Sequence, residues 1–127
     1  MNCASASRLG VAFCCTLWRT EEMVEGFVEL GGYFSFSPYF AHPRKAAQRA
    51  VFARVPPDRL LAETDAPDMR PPDDLNLHPL TAADGGLLNH PANLRISYRL
   101  LAEISSFDAA ELESLVEKNY RRLFGET

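Results

Sequence analysis

The chain has 127 residues, enough for one domain with a core of its own and short for two. With 46% hydrophobic and 24% charged residues it has the composition of a globular protein, and no apolar run nears the ~20 residues that a bilayer span requires. The formal charge of -4 gives no global attraction to polyanions, so any nucleic-acid contact must come from local arginines or a bound cation.

Near the N-terminus stand Cys3, Cys14 and Cys15, an odd number with two adjacent. That is no disulfide framework and fits a reducing compartment, so the expected location is the cytoplasm or nucleus. Residues 1–18 carry one arginine and then a short apolar run, a faint likeness to a targeting segment; the plainer expectation is a strand at Val11–Leu17 behind a loose leader.

RTEEMVEGFVELGG predicts an amphipathic helix. Thr20 is the expected N-cap, Met23, Val24, Phe27 and Val28 share one face, and Gly31 closes it. YFSFS, Tyr33 to Ser37, predicts an aromatic, alternating strand stopped by Pro38. HPRKAAQRAVFARV predicts a second helix starting at Pro43, with Ala46, Ala47, Ala50 and Val51 buried and Arg44, Lys45, Gln48 and Arg49 outside. A turn at Pro56-Pro57-Asp58 then leads into the apolar strand of LLAETD. Strand, helix, strand, helix, strand is the order of parallel crossover units, so the expected class is α/β with parallel strands.

Asp68 to Asn89 reads as a Pro-, Asp- and Gly-rich loop of roughly 20 residues, of the kind that covers a site. Pro91 to Ile104 predicts a helix with Leu100, Leu101 and Ile104 inward. SSFDAAELESLVEKNYRRLF predicts the last, with Asp108 and Glu111 at capping-box spacing, Phe107 and Leu112 at staple spacing, and a buried stripe of Leu112, Leu115, Val116 and Leu123.

The pointed feature is LLAETDAP, residues 60–67, an apolar strand running into acids. In parallel sheets ligands bind at the carboxyl ends of strands, where Asp65 stands. If the strand runs on, Glu63 and Asp65 share a face, and two carboxylates together call for a cation, an arginine or a histidine. One reading makes Asp65 a metal ligand beside an activated water. The other makes it an Asx-type cap before Pro67, with Glu63 paired to Arg59 or Arg70. Spacing does not separate them.

Elsewhere the signals are plainer. His42 and His78 adjoin prolines in loops and read as solvated; His90 lies in the loop expected over the strand end and is a candidate for substrate contact. Tyr33, Phe34 and Phe36 read as core filling rather than base stacking. Arg44, Arg49, Arg54 and Arg59, and Arg95 and Arg99 on one helix face, could meet phosphates; the plainer reading is solvated outer helix faces.

The string DRLLAETDAPDM, preceded by GYFSFS and followed by NHPANL and NYRRLF, resembles the C-terminal portion of the TatD family of metal-dependent deoxyribonucleases, which are amidohydrolase-type barrels. The likeness runs from about Thr20 to Phe124, leaving residues 1–19 as a divergent leader and 20–127 as the family-like portion. It implies a partial TIM-type (β/α)8 barrel, about the last three strand-helix units, with YFSFS and LLAETD similar to strands seven and eight.

By the same resemblance Asp65 is the catalytic residue and metal ligand, able to take a proton from the attacking water. Glu63 orients it, and Asn89 and His90 meet substrate. The implied cofactor is a divalent cation, Mg2+ first and Zn2+ or Mn2+ as alternatives. The implied substrate is DNA, cleaved at its phosphodiester bonds.

The family's His-x-His pair and its further acid and histidine ligands belong to earlier strands, which have no counterpart here. A complete barrel takes roughly 250 residues. The expectation is therefore a truncated form with weak or no activity alone, its inner face, including Phe34, Phe36 and Leu61, left uncovered. Alternatives are a non-enzymatic remnant that associates with a homologous chain and completes its barrel, or a hydrolase of another small phosphate or amide.

Overall fold

The computed structural model describes residues 21–125. The strand expected at Val11–Leu17, the Thr20 cap and the three cysteines lie outside the described residues.

The first helix, α1, spans Glu21–Glu29. Gly31 takes φ +82°, the left-handed conformation that a side chain would resist. Its N–H reaches the Val28 carbonyl at 3.0 Å, and that of Gly32 reaches Phe27 at 2.7 Å, so the last carbonyls of the helix are satisfied in a Schellman end. Val24 is buried and Phe27 and Val28 pack against the core. Met23, expected beside them, is 42% exposed, so the buried stripe is narrower than its sequence suggests.

Two short strands, β1 (Phe34–Phe36) and β2 (Leu60–Ala62), pair in parallel with Phe34 opposite Leu60 and Phe36 opposite Ala62. Between them lie 3-10 turns at Pro38–Ala41 and Pro43–Lys45, helix α2 (Ala46–Phe52), and a third 3-10 turn at Pro57–Arg59. Strand, crossover and parallel strand make one of the expected units.

Register decides which side chains share a face. Phe34, Phe36 and Leu60 enter the main core with Val24, Phe40, Phe52, Leu101, Leu112 and Val116. Leu61, one residue on, faces the other way and clusters with Tyr33 and Leu123. The single uncovered face expected for Phe34, Phe36 and Leu61 is thus corrected: the three lie on opposite sides of the sheet, and all are buried. Phe36 meets Phe52 edge-on at 4.9 Å and Phe40 at 5.5 Å, geometries that aromatic quadrupoles favour.

Helix α2 is turned relative to its expected face. Ala46, Ala47 and Ala50 are exposed, and Val51 and Phe52 are buried. Burying one Phe outweighs burying several alanines. The rotation also brings Arg49, expected outside, onto the Phe40 and His42 carbonyls.

The long loop contains a feature its sequence reading missed: a hairpin of β3 (Leu80–Thr81) and β4 (Leu87–Leu88), antiparallel. Gly85 at φ +87° makes its turn, and Asp84 Oδ1 accepts the Gly86 N–H at 2.8 Å. The signal was present in Asp84-Gly85-Gly86 between leucines.

After a 3-10 turn at Pro91–Asn93 come α3 (Leu94–Ser105) and α4 (Ala109–Phe124). Asp108 caps α4 as expected, its Oδ1 accepting the Ala110 N–H at 3.3 Å. Leu112, Val116 and Leu123 are buried as expected, with Leu115 packed beside them. Asn119, on the same stripe, is fully buried and donates to the Pro57 and Leu60 carbonyls at 2.8 and 2.9 Å, tying α4 to the start of β2.

Beside β2 lies an open groove of about 500 Å3, walled by Leu61, Glu63, Tyr98, Val116, Tyr120 and Phe124.

The candidate active-site turn

Strand β2 ends at Ala62, sooner than the alternation argument requires. Glu63 still donates its N–H to the Phe36 carbonyl at 2.9 Å, while its own carbonyl accepts from Ser97 Oγ at 2.8 Å. Two residues on, Asp65 has φ +58°, outside any strand. Strand geometry therefore does not put Glu63 and Asp65 on one face. Glu63 lines the groove, and Asp65 heads the turn beyond it.

That turn closes when the Asp65 main-chain carbonyl accepts the Asp68 N–H at 2.9 Å, across the cis peptide bond Ala66–Pro67. The side chain plays no part in that closure. Asp65 Oδ2 is buried and has no hydrogen-bond partner. A carboxylate oxygen withdrawn from water without a donor is costly, and hard cations are among the few partners that would compensate it. Left-handed φ is uncommon outside Gly, and Asp, like Asn, is one of the residues that adopt it most readily.

The structure shows what holds it. Asn89 is fully buried, and its amide donates to the Thr64 carbonyl at 2.6 Å and the Asp68 carbonyl at 2.9 Å. Its main-chain N–H donates to Pro67 at 2.8 Å. Asn93 in turn donates to Asn89 Oδ1 at 3.0 Å and to Asn76 Oδ1 at 3.1 Å, and its own Oδ1 accepts the His78 N–H at 3.2 Å. Asn89, expected at the substrate, is enclosed in this network with its amide hydrogens committed to the turn. Asn93 stands in the NHPANL string that resembles the family's loop, whereas Asn76 and Ser97 carry no sequence signal; an Asn spacing across a loop makes no pattern that periodicity can detect.

His90 is half-buried. Its Nδ1 accepts the Ala92 N–H at 2.9 Å, which leaves the proton of the neutral ring on Nε2, and its ring lies 5.5 Å from that of His78. His42, expected to be solvated, bonds through Nε2 to the Arg70 carbonyl at 3.0 Å. Arg59 lies over the Tyr33 ring and 4.0 Å from Asp58, and Arg70 lies 3.2 Å from Asp73. Among the described residues no group of three or more His, Cys, Asp or Glu could hold a metal ion. Asp65 thus fits as one ligand, and the described residues do not fit a complete metal site.

A parallel pair ending in a braced, acid-bearing turn does not by itself name a family, and comparison with known proteins does. The family model described as TatD related DNase matches residues 6–125. This chain belongs to the TatD-related family. The match begins at residue 6, ahead of Thr20 where the likeness was expected to start, and residues 6–20 lie outside the described residues.

TatD relatives include a 3'-5' ssDNA/RNA exonuclease TatD from Dickeya dadantii, 42% identical over 81 residues, covering 64% of this chain and 28% of that protein. The uncharacterized metal-dependent hydrolase YcfH from Escherichia coli is 30% identical over 115 residues, covering 91% of this chain and 39% of the relative. The crystal structure of YJJV, a TatD homologue from Escherichia coli, superposes with TM-score 0.71 at 26% identity, over 91% of this chain and 40% of that one. A TatD family hydrolase from Entamoeba histolytica, 16% identical, shares the fold with TM-score 0.73 over 91% of this chain and 43% of its own. The chain therefore spans less than half the length of these relatives.

Proposed function

We propose that this chain is the C-terminal portion of a TatD-type hydrolase, the last strand-helix units of a (β/α)8 barrel, whose parent activity is metal-dependent cleavage of phosphodiester bonds in DNA. The observation that carries this reading is Asp65: its left-handed backbone is braced by Asn89, and its buried Oδ2 has no hydrogen-bond partner. Residues 20–127 carry the strings of the family likeness, and the family match reaches back to residue 6.

In this reading Asp65 Oδ2 is one oxygen ligand of a divalent cation, Mg2+ before Mn2+ or Zn2+ because its donor is a carboxylate. The cation would polarise a phosphoryl oxygen and acidify a bound water. Glu63, held by Ser97, shapes the wall beside the turn. Asn89 positions the turn, and His90, with its Nε2 proton, is the residue of this loop that meets substrate. A single carboxylate does not retain a catalytic ion, so the chain alone is inactive or very weak. The reducing interior of the cell, cytoplasm or nucleus, is its expected place, and among the described residues no helix is long and apolar enough to cross a membrane.

A second reading is favoured by the groove beside β2, which has a partner strand on one side only among the described residues. Tyr120 and Phe124, their rings 4.6 Å apart and tilted by 42°, both more than half exposed, stand on its wall. In that reading a homologous chain seats there and supplies the remaining barrel strands.

The test of the first reading is a Mn2+ titration of the isotope-labelled chain followed by NMR, with a nuclease assay on single-stranded DNA. Broadening centred on Asp65 and lost in Asp65→Asn is the expected result, and its absence overturns the ligand assignment. Metal-dependent degradation by the chain alone, abolished by Asp65→Asn, would overturn the claim of inactivity. A monomer of cooperative melting, unchanged by a full-length relative, would remove the second reading.

A further inference from the structure

Strands β1 and β2 run parallel, so the segment leaving β1 and the turn leaving β2 emerge at the same end of the sheet. The segment leaving β1 carries Tyr39, His42, Arg44 and Lys45. In it, Arg44 donates to the Tyr39 hydroxyl, and its guanidinium carbon stands 5.2 Å from the centre of the Tyr39 ring. Lys45 Nζ stands 5.4 Å from the same ring. One aromatic side chain thus orders two cations.

Neither cation is paired with a carboxylate among the described residues. On a chain of net charge -4 they are two adjacent cations gathered by one ring. The backbone beneath them is braced, because Arg49 donates to the Phe40 and His42 carbonyls. It is also joined to the loop that follows the Asp65 turn, since His42 Nε2 meets the Arg70 carbonyl at 3.0 Å. Arg70 adds a third cation there, partly offset by Asp73 at 3.2 Å.

We propose that Tyr39, Arg44 and Lys45 form a backbone-phosphate subsite for single-stranded nucleic acid at the sheet end that carries Asp65. Arg44 and Lys45 contact phosphodiester oxygens of the strand. Tyr39 is a positioning residue that fixes both cations through its ring and hydroxyl. Such contacts hold a strand in register and carry no base information, so the subsite takes DNA and RNA backbones alike. The ligand class rests on the nucleic-acid reading above, whereas the site itself needs neither the cation nor Asp65.

The experiment is fluorescence anisotropy of labelled oligothymidylate and oligouridylate with the full chain, in EDTA, across a salt series. Both oligonucleotides are expected to bind with falling affinity as salt rises. Arg44→Gln combined with Lys45→Gln should weaken binding about tenfold at low salt and flatten the log-log salt slope by about 1.4, since each contact to a single strand contributes ~0.7. Tyr39→Phe, which keeps the ring and loses the hydroxyl, should weaken binding by a smaller factor at an unchanged melting temperature.

Arg99→Gln combined with Lys118→Gln removes the same charge from α3 and α4 and should leave the slope as it is. The proposal is overturned if the wild-type chain binds neither oligonucleotide, if the control pair flattens the slope equally, or if the Arg44 and Lys45 changes leave it unaltered. Asp65→Asn should bind as wild type in EDTA. Binding retained without any Mn2+ effect at Asp65 would sink the hydrolase reading and leave the subsite standing.

Discussion

The Asn89 amide donates to the Thr64 carbonyl at 2.6 Å, one residue before Asp65, while its main-chain N–H holds the Pro67 carbonyl two residues after it. A buried asparagine 24 residues downstream of the strand-end acid (89 − 65) therefore sets the shape of the turn that presents it.

Replacing Asn89 by Ala leaves the Thr64 and Asp68 carbonyls without that donor. An orphaned buried acceptor costs ~1–3 kcal/mol, so Asn89→Ala should lose about 3 kcal/mol in urea unfolding. A loss below about 1 kcal/mol would show that water replaces the amide and that the clamp is dispensable.

Asp65 sits in a conformation open to Gly and tolerable for Asn. Asp65→Asn and Asp65→Gly should melt within about 1 kcal/mol of wild type or above it, while Asp65→Val, β-branched at positive φ, should lose about 1–3 kcal/mol. Thermal melts of the three variants check the order. A valine variant as stable as the asparagine one would mean that the turn does not hold Asp65 in the left-handed region.

Phe36 is wholly buried between Phe40 and Phe52. Phe36→Ala should cost ~3–5 kcal/mol through lost transfer energy and a residual cavity. A domain of this size is stable by only ~5–15 kcal/mol, so the variant should be marginal in circular-dichroism melts. Phe36→Leu, filling most of the volume, should recover much of the loss.

Burial, with the Glu113 and Glu117 carboxylates adding to it, pushes the Tyr98 hydroxyl above the usual tyrosine value. The unfolded chain therefore releases this proton first as pH rises. The contribution of neutral Tyr98 is fully present below the unfolded value and is lost as pH climbs through the folded one. Urea midpoints above pH ~10 should fall in the wild type and fall less in Tyr98→Phe. Equal slopes for the two would remove the assignment.

Much of the fold was legible because local signals and packing agreed. Asp108 caps α4, Gly31 ends α1, and the α4 stripe of Leu112, Val116 and Leu123 is buried as its spacing requires. Where they competed, packing prevailed. The alanine face of α2 gave way to Phe52, and Met23 was left outside because Val24 and Phe27 filled the contact. The hairpin at Leu80–Leu88 was missed because its strands are only two residues long, too short for alternation to register.

At the site, strand-end position marked Asp65 and family likeness marked its chemistry, but neither described its surroundings. The strand stops at Ala62, so the pairing of Glu63 with Asp65 on one face, which assumed two-residue alternation, does not form. Asn89 and Asn93 were marked by the family-like loop string but not for the network they build, and Asn76 and Ser97 carry no local signal. Their roles depend on contacts between positions up to 34 residues apart.

The linear order of residues by itself determined the main helices, the parallel crossover between β1 and β2, and the acid at the strand's end, because capping, periodicity and turn chemistry act within a few residues. Tertiary structure decided which way α2 turned, how Asp65 is held, and that Tyr39 gathers two cations at the same end of the sheet. Those outcomes follow from burial and hydrogen-bond satisfaction, which are set by neighbours in space rather than by neighbours along the chain.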